Sequence, residues 1–557
     1  MEALTFLAIL VGVAILAYLL SIRDQRVAEK KLVKWLKDNH GNAPMRKYKD
    51  DELYHLKGYF ENHKEDFQID DITWNDLNMD GVFARMNYCL SASGEEYLYY
   101  MLRTPKMKDE FEDMEEKISF FSENDEDRIK YQVIFNKIGR RNKYSIYDYL
   151  KLLDDTIDFS NTRHYVMIAL ILISIFLCFF SFGIGIVLTV LFMISSIIMY
   201  FNHKTKIEPY LVTYTYILKV LASVNYFSKQ DNPVLKSDLK RLKEAADNLK
   251  GFGKGSYILM SPTRMNSSGN PAELLLDYFR MVTHVDIIKF NRMYKLILDR
   301  REDLDTILTI LGRLEALISV ACFRESLKDN WCRPLFADGD YSAKDLIHPL
   351  IENPVPNSVV TDKGILITGS NASGKSTFLK TAAINTILSQ SVHTSLALSY
   401  KAPIYRIYSS MALNDDIFEG DSYYIVEIKS MKRIIDASKA SGVPVLCFVD
   451  EVLRGTNTVE RIAASTEILK SFAKSGVLCF AATHDIELTT LLSDDYNLYH
   501  FEGNVTDNDV HFDYMIKDGA AINRNAIKLL NVLGYDEGIV ERAQELANKF
   551  TETGVWA

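Results

Sequence analysis

Apolar positions along this chain form three patterns. The first is the unbroken run. Ala3 to Ile22 holds about twenty residues without a charge, the length a helix needs to cross a bilayer. No basic segment precedes it and no small-residue cleavage site follows it, which favours a retained anchor over a cleaved signal peptide. Arg23, Arg26, Lys30, Lys31, Lys34 and Lys37 come next, so the positive-inside rule puts that side in the cytoplasm and the N-terminus outside. Tyr165 to Phe201 is a second block, interrupted at Ser181-Phe182-Gly183-Ile184-Gly185, and predicts a helical hairpin that enters and returns. Arg163 and His164 flank it on one side, His203, Lys204 and Lys206 on the other. Its arms are at the short end for a span, so a re-entrant or buried hairpin is the alternative. Neither block contains Asp, Glu, Lys or Arg, which fits anchors better than a transport pathway.

The second pattern is helical spacing. It predicts a short helix over Asp50 to Phe60 and a compact unit from Asp71 to Leu77, followed by periodic Val82, Phe83, Met86 and Leu90. Tyr97, Leu98, Met101 and Leu102 continue it until Pro105 stops the helix. Leu211 to Leu249 and Leu274 to Val320 read as long helices separated by a hinge at Gly251-Phe252-Gly253-Lys254-Gly255. The acidic stretch Lys106 to Lys130 reads as solvated helix faces. From about Trp331 the third pattern takes over, short apolar strands punctuated by Gly, Pro and Asn. The expected organisation is a transmembrane anchor (1–22), a basic juxtamembrane helical segment (23–70), an all-α domain carrying the transmembrane hairpin (71–330, hairpin 165–201), and an α/β domain (331–557).

Composition narrows this little. The chain has 557 residues, 48% of them hydrophobic, so several cores can be filled. A formal net charge of -10 argues against a protein that coats nucleic acid with a wholly basic surface. Cys89, Cys178, Cys322, Cys332, Cys447 and Cys479 form no CxxC pair, so neither a disulfide framework nor a zinc site is indicated.

Chemistry collects in the α/β part. Gly369-Ser370-Asn371-Ala372-Ser373-Gly374-Lys375-Ser376-Thr377 follows the apolar strand Gly364 to Thr368 and precedes a helix-like run, Phe378 to Leu388. A strand, a glycine loop ending in Lys-Ser, and a helix N-terminus together present backbone N–H groups and an ammonium to polyphosphate. The buried-strand pattern Val445 to Val449 ends in Asp450-Glu451. There Asp450 would join Ser376 around Mg²⁺, and Glu451 would orient or deprotonate a water. A third strand, Val477 to Ala482, ends in Thr483-His484-Asp485, which sets His484 at the carboxyl edge of the sheet to contact the γ-phosphate of ATP. About seventy-five residues separate Lys375 from Asp450, so strands or a subdomain must be inserted between them.

These motifs, with the segment Asn414 to Glu427, Arg454-Gly455-Thr456-Asn457-Thr458 and Ala482-Thr483-His484, resemble in order and spacing the ATPase domain of the MutS mismatch-repair family. His348-Pro349-Leu350, Val355-Pro356-Asn357, Asn525 to Leu530 and Ile539 to Leu546 extend the resemblance. Asp76-Leu77, Ser93-Gly94, Leu102 to Pro105 and Leu314 to Leu317 resemble the family's helical core more faintly. The resemblance implies an ABC-type P-loop ATPase that uses ATP and Mg²⁺ as a homodimer. In it the Gly420-Asp421-Ser422 loop of one subunit faces the glycine loop of the other, and Ser422 contacts the γ-phosphate in trans. It also implies helices that close around DNA. The chain departs from the family where a mismatch-reading domain is usual, since a membrane span and about fifty residues stand there; Leu453 and Asn457 replace the usual Gly and Ser. Two function classes follow. One is a multi-pass inner-membrane, MutS-like ATPase working on DNA with its ATPase domain cytoplasmic; the other is an ATP-driven membrane protein acting on a protein partner.

Overall fold

The computed structural model describes residues 2–44, 46–140, 145–148, 160–227, 229–230, 232–253, 278–370, 372–411, 423–440, 442–505, 510–521, 527, 530, 534–553 and 556. Up to Leu327 the described elements are all helices; strands begin at Leu335. The N-terminal apolar run and the basic stretch after it form one helix, Glu2–Asp38. Its Leu36 packs on Ile129 and Val133 of the Asp125–Ile138 helix.

Local chemistry sets several boundaries. Asp70 caps the Asp71–Asp76 helix by accepting from the Thr73 amide, and Ser91 caps Ala92–Arg103 by accepting from Gly94. The structure splits three expected helices. Asp50 to Phe60 divides into Asp50–His55 and Lys57–Asn62. The stretch from Leu211 belongs to a helix that ends at Phe227, with Lys236–Asn248 separate. The last expected helix becomes Val285–Asp299 and Arg301–Leu327, broken at Arg300, where φ is -130°. Apolar spacing runs through such breaks because both pieces face one core, so periodicity does not register them.

The hairpin pairs Thr162–Leu177 with Phe182–Phe227. A Cβ on Gly185 would lie 2.5 Å from the backbone nitrogen of Cys178, so the arms meet this closely only because that position is glycine. The second arm does not end at Phe201. It continues as one 46-residue helix into the helical part, about 70 Å at the usual rise per residue. Among the described residues two helices are long and apolar enough to cross a membrane, and burial separates them. The apolar window of Arg301–Leu327 is 83% buried, the mark of a core helix, whereas that of Phe182–Ile207 is 11% buried.

The strand-rich part contains two sheets. The larger has the order β10-β9-β4-β8-β7-β6, made of Val510–Asp518, Tyr496–Val505, Gly364–Gly369, Leu478–Ala482, Val445–Asp450 and Arg406–Ser410. Every pairing in it is parallel except β10 with β9. β4, β7 and β8 are buried along almost their whole length, as continuous apolar strands in a parallel sheet must be. The smaller sheet has the order β1-β5-β2-β3 (Leu335–Phe336, Ser399–Ala402, Tyr341–Leu346, Asn357–Thr361). The long insert between Lys375 and Asp450 therefore supplies a strand to each sheet and the Tyr423–Ser438 helix.

The helical and strand-rich parts share one continuous core that includes Leu98, Leu311, Leu317, Ile384 and Phe480. A polar joint lies beside it. Glu115 accepts from Arg324 and Arg333 (2.7 Å from Arg333 Nε) and sits 2.9 Å from His393 Nδ1. Arg324 also donates to the carbonyls of Val392 and His393 at the end of the Lys375–Val392 helix.

Candidate functional site at the strand ends

β4 stops at Gly369, whose φ of +146° and close approach to the Phe501 carbonyl, 2.6 Å from a would-be Cβ, exclude any side chain. The chain then turns through Ser370, Ala372 (φ +63°) and Ser373, and the helix expected from Phe378 begins earlier, at Lys375, and runs to Val392. Ser373 Oγ donates to the Ser370 carbonyl at 2.8 Å, closing the loop on itself. Ser370 Oγ is buried without a hydrogen-bond partner, an orphaned donor inside the loop that a bound anion would satisfy. Ser376 and Thr377 are exposed in the first helical turn. Asn371 lies outside the described residues.

Lys375 is nearly buried and folds back over the loop, donating to the carbonyls of Gly369 and Ser370 at 2.8 and 2.9 Å. Burial pushes its pKa down to about 8, against the opposing pull of Asp450 and Glu451. Beside it, β7 delivers Asp450 and Glu451. β8 pairs with β7 in register through Asp450 and Ala482, so His484 emerges next to them. His484 Nε2 is 3.0 Å from Glu451 Oε1 and 3.4 Å from Lys375 Nζ. A nitrogen facing a carboxylate carries the proton, so His484 donates to Glu451.

Glu451 adopts φ +62°, a left-handed conformation rare for a residue with a side chain, and Leu453 follows at +58°. The strained turn brings Arg454 Nε within 2.6 Å of Glu451 Oε2. Burial raises the Glu451 carboxyl pKa, but the His484 hydrogen bond and the Arg454 charge outweigh it and hold it below the usual value. The Asp450 carboxylate is 3.9 Å from Arg454 Nη2, beyond hydrogen-bond distance, whereas the Asp450 carbonyl accepts from that Nη2 at 3.3 Å. The carboxylate and the exposed Ser376 hydroxyl are hard oxygen donors of the kind Mg²⁺ takes. Among the described residues no group of three His, Cys, Asp or Glu side chains could hold a metal ion, so a cation here would keep water or substrate oxygens in its shell.

The structure thus brings together Gly369, Ser370, Ala372, Ser373, Gly374, Lys375, Glu451 and His484, with Asp450 at the adjoining strand end. Gly420, Asp421 and Ser422 lie outside the described residues. Sequence reasoning missed two supports. Arg461 holds Asp485 through two hydrogen bonds of 2.8 and 2.6 Å, which fixes the backbone next to His484. A cavity of ≈ 240 Å³ opens beside the loop, lined by His348, Ile351, Val355, Thr377, Phe378 and Tyr514 among others. His348 Nδ1 accepts from the Leu350 amide, and burial pushes that imidazole down to about 4, so it is neutral. Tyr514 comes from β10, a strand without alternating apolar pattern, and nothing local in the sequence points to it.

Comparison with known proteins bears on this part of the chain. A family model, MutS domain V, matches residues 365–551. The DNA mismatch repair protein MutS of Natronomonas pharaonis is 34% identical over 231 residues, 39% of this chain and 26% of that protein. MutS 2 of Haloarcula marismortui is 29% identical over 294 residues (46% and 30%), and MutS of Leptospira interrogans 31% over 289 residues (49% and 33%). The chain therefore spans a third or less of the length of these relatives. The segment that builds the strand-end site thus matches MutS domain V and is similar in sequence to these MutS proteins.

Proposed function

We propose that this chain is a membrane-anchored ATPase that hydrolyses ATP with Mg²⁺ in a site completed by a second copy of itself, and that it acts on DNA. The observation that carries the reading is the convergence of Lys375, Glu451 and His484 from three neighbouring elements onto one glycine loop. The γ-phosphate would draw Lys375 from the two carbonyls it now holds, and His484 lies within reach of the same group. Glu451, oriented by Arg454, is the base that orients the attacking water. Mg²⁺ on Ser376 and Asp450 would neutralise phosphate charge. The base of the nucleotide fits the neighbouring cavity, where Phe378 and Tyr514 offer apolar faces and neutral His348 a polar edge. Ser422 of a second subunit would cap the γ-phosphate in trans.

DNA as the ligand is supported by the relatives, which carry the name mismatch repair proteins. Membrane attachment is supported by the uncovered apolar hairpin, whose Phe179 and Phe180 are 84% and 77% exposed, and by the basic stretch after Ile22. The placement that follows is a multi-pass inner-membrane protein with the strand-rich part in the cytoplasm.

The test is ATP turnover by the purified full chain, where wild type hydrolyses ATP and Lys375→Ala neither binds nor turns it over. Wild-type turnover by Lys375→Ala would remove the glycine loop from the mechanism. DNA binding is measured on the same preparation across a salt series. Counterion release demands a steep fall in affinity with salt, and no binding at low salt would transfer the reading to a protein partner.

A further inference from the structure

Three histidines meet where the hairpin joins the helical part. His164 lies in the first turn of Thr162–Leu177, His203 on Phe182–Phe227, and His284 caps Val285–Asp299. His164 and His284 are fully buried, with their Nδ1 atoms 2.8 Å apart. His284 Nε2 lies 3.0 Å from the Ser196 carbonyl, which can only accept, so Nε2 carries a proton. The Nδ1 of neutral His284 is then a lone pair, and His164 Nδ1–H donates to it. That leaves His164 Nε2 as a buried lone pair, and it has no hydrogen-bond partner. At 2.8 Å, with one nitrogen carrying the proton and the other a lone pair, the nitrogen–nitrogen contact is a hydrogen bond.

Only the uncharged pair leaves every N–H of the two rings with an acceptor. A proton added to His284 sets two N–H groups head-on at the 2.8 Å contact unless His164 moves its own proton to Nε2, where no acceptor faces it. One added to His164 puts a charged N–H where no acceptor faces it. Other charged groups stand around the pair. Asp286 accepts from Tyr200 at 2.7 Å, and Tyr200 in turn accepts from Lys204 at 2.8 Å. His203 crosses His164 with ring centroids 5.0 Å apart, while Arg163 and Arg280 lie on the adjoining turns. Burial holds the His284 pKa below the ordinary histidine value; Asp286 opposes it and His203 reinforces it.

We propose that the His164–His284 pair is a proton-sensitive latch: uncharged, it docks the Val285–Asp299 helix against both arms of the hairpin, and protonated, it releases that helix. The consequence follows from continuity. Val285–Asp299 runs into Arg301–Leu327, whose Arg324 holds the last carbonyls of the helix that begins with Lys375. Opening the latch uncouples the hairpin from the strand-end site. The joint itself rests on the geometry; only its meaning for ATP-driven motion rests on the reading above.

The test is hydrogen exchange of the full chain in lipid nanodiscs. Backbone exchange over residues 278–299, corrected for intrinsic pH dependence, is read alongside exchange at the imidazole C2 position, which titrates each histidine. Between about pH 7.5 and about pH 5 the wild-type segment should lose at least about tenfold of its protection. His203→Gln should respond like wild type. The double variant His164→Gln/His284→Gln, whose amides hydrogen-bond without charging, should stay protected throughout. A double variant that responds like wild type would overturn the latch. If the double variant fails to dock at any pH, the wild-type titration decides. His164 and His284 charging together with the opening supports the proposal; both charging while the segment stays protected overturns it. Lys375→Ala should leave every one of these readings unchanged, so failure of the ATPase reading and failure of the latch are distinguishable.

Discussion

At the residue scale the candidate site is a set of charges that hold one another in place. Glu451 is engaged by both His484 and Arg454, one on each carboxylate oxygen, which orients the carboxylate and leaves lone pairs for a water. Glu451→Gln keeps the shape and removes the base; ATP should still bind while turnover falls by about 10²–10⁴-fold. Binding and single-turnover hydrolysis on one preparation check this, and turnover at the wild-type rate would exclude Glu451 as the base. Lys375 sets a pH dependence of definite sign. Its ammonium is lowered to about 8 in the folded chain, whereas bound polyphosphate favours the charged form, so binding above that pH requires proton uptake. The ATP association constant should be level below about pH 8 and fall about tenfold per pH unit above it. Calorimetry in buffers of different ionisation heat would detect the proton taken up. An affinity flat to about pH 10 would mean that Lys375 keeps its charge in the free site.

Elements carry these residues to one another, and they also explain what was legible in the sequence. β4, β7 and β8 read directly, because a strand buried on both faces is a continuous apolar run and their C-terminal residues are the chemistry. The β9–β10 hairpin did not, since Tyr496 to Val505 mixes Tyr, Asn, His and Glu with no alternation, and the parallel ladder with β4 fixes it instead. The positive φ of Glu451 also had no signal, because Glu is not a residue that announces a left-handed turn. The Glu115 joint was hidden for a third reason: an acidic stretch looks solvated until the cations that meet it are known. Its role is testable. Burial raises the Glu115 carboxyl, but His393, Arg324 and Arg333 overcome it and take it down to about 2 from the ordinary 4.5. A carboxyl depressed on folding stabilises above its unfolded pKa and loses that contribution as pH falls through the folded one. Glu115→Gln should therefore destabilise by about 2–3 kcal/mol at neutral pH. The deficit should shrink between about pH 4.5 and about pH 2, read from denaturant midpoints across that range. A deficit independent of pH would assign the effect to packing.

On the scale of the whole molecule, the Phe182–Phe227 helix links the most exposed apolar surface to the shared core without a break. The sequence suggested a hairpin that closes at Phe201 and a separate helix from Leu211; polar and apolar textures change there, but the backbone does not. Its exposed face includes Val187, Val190, Leu191 and Ile194, while Tyr214, Ile217 and Val220 further along are buried in protein. If the hairpin enters a membrane as proposed, the same helix changes solvent along its length, and the placement of charge should matter only in the first stretch. Arginine near the middle of a bilayer costs about 2.5–3.5 kcal/mol on insertion scales, so Leu191→Arg with Ile194→Arg removes most of the drive for the hairpin to enter. The effect is best read in a variant lacking residues 2–22, where the hairpin is the remaining apolar segment of this kind. That variant should resist alkaline carbonate extraction from membranes, and the two arginines should release it to the soluble fraction with ATP turnover retained. Release before the arginines are introduced would show that the hairpin's apolar face is covered by protein rather than lipid, and membrane attachment would then rest on the first twenty-two residues.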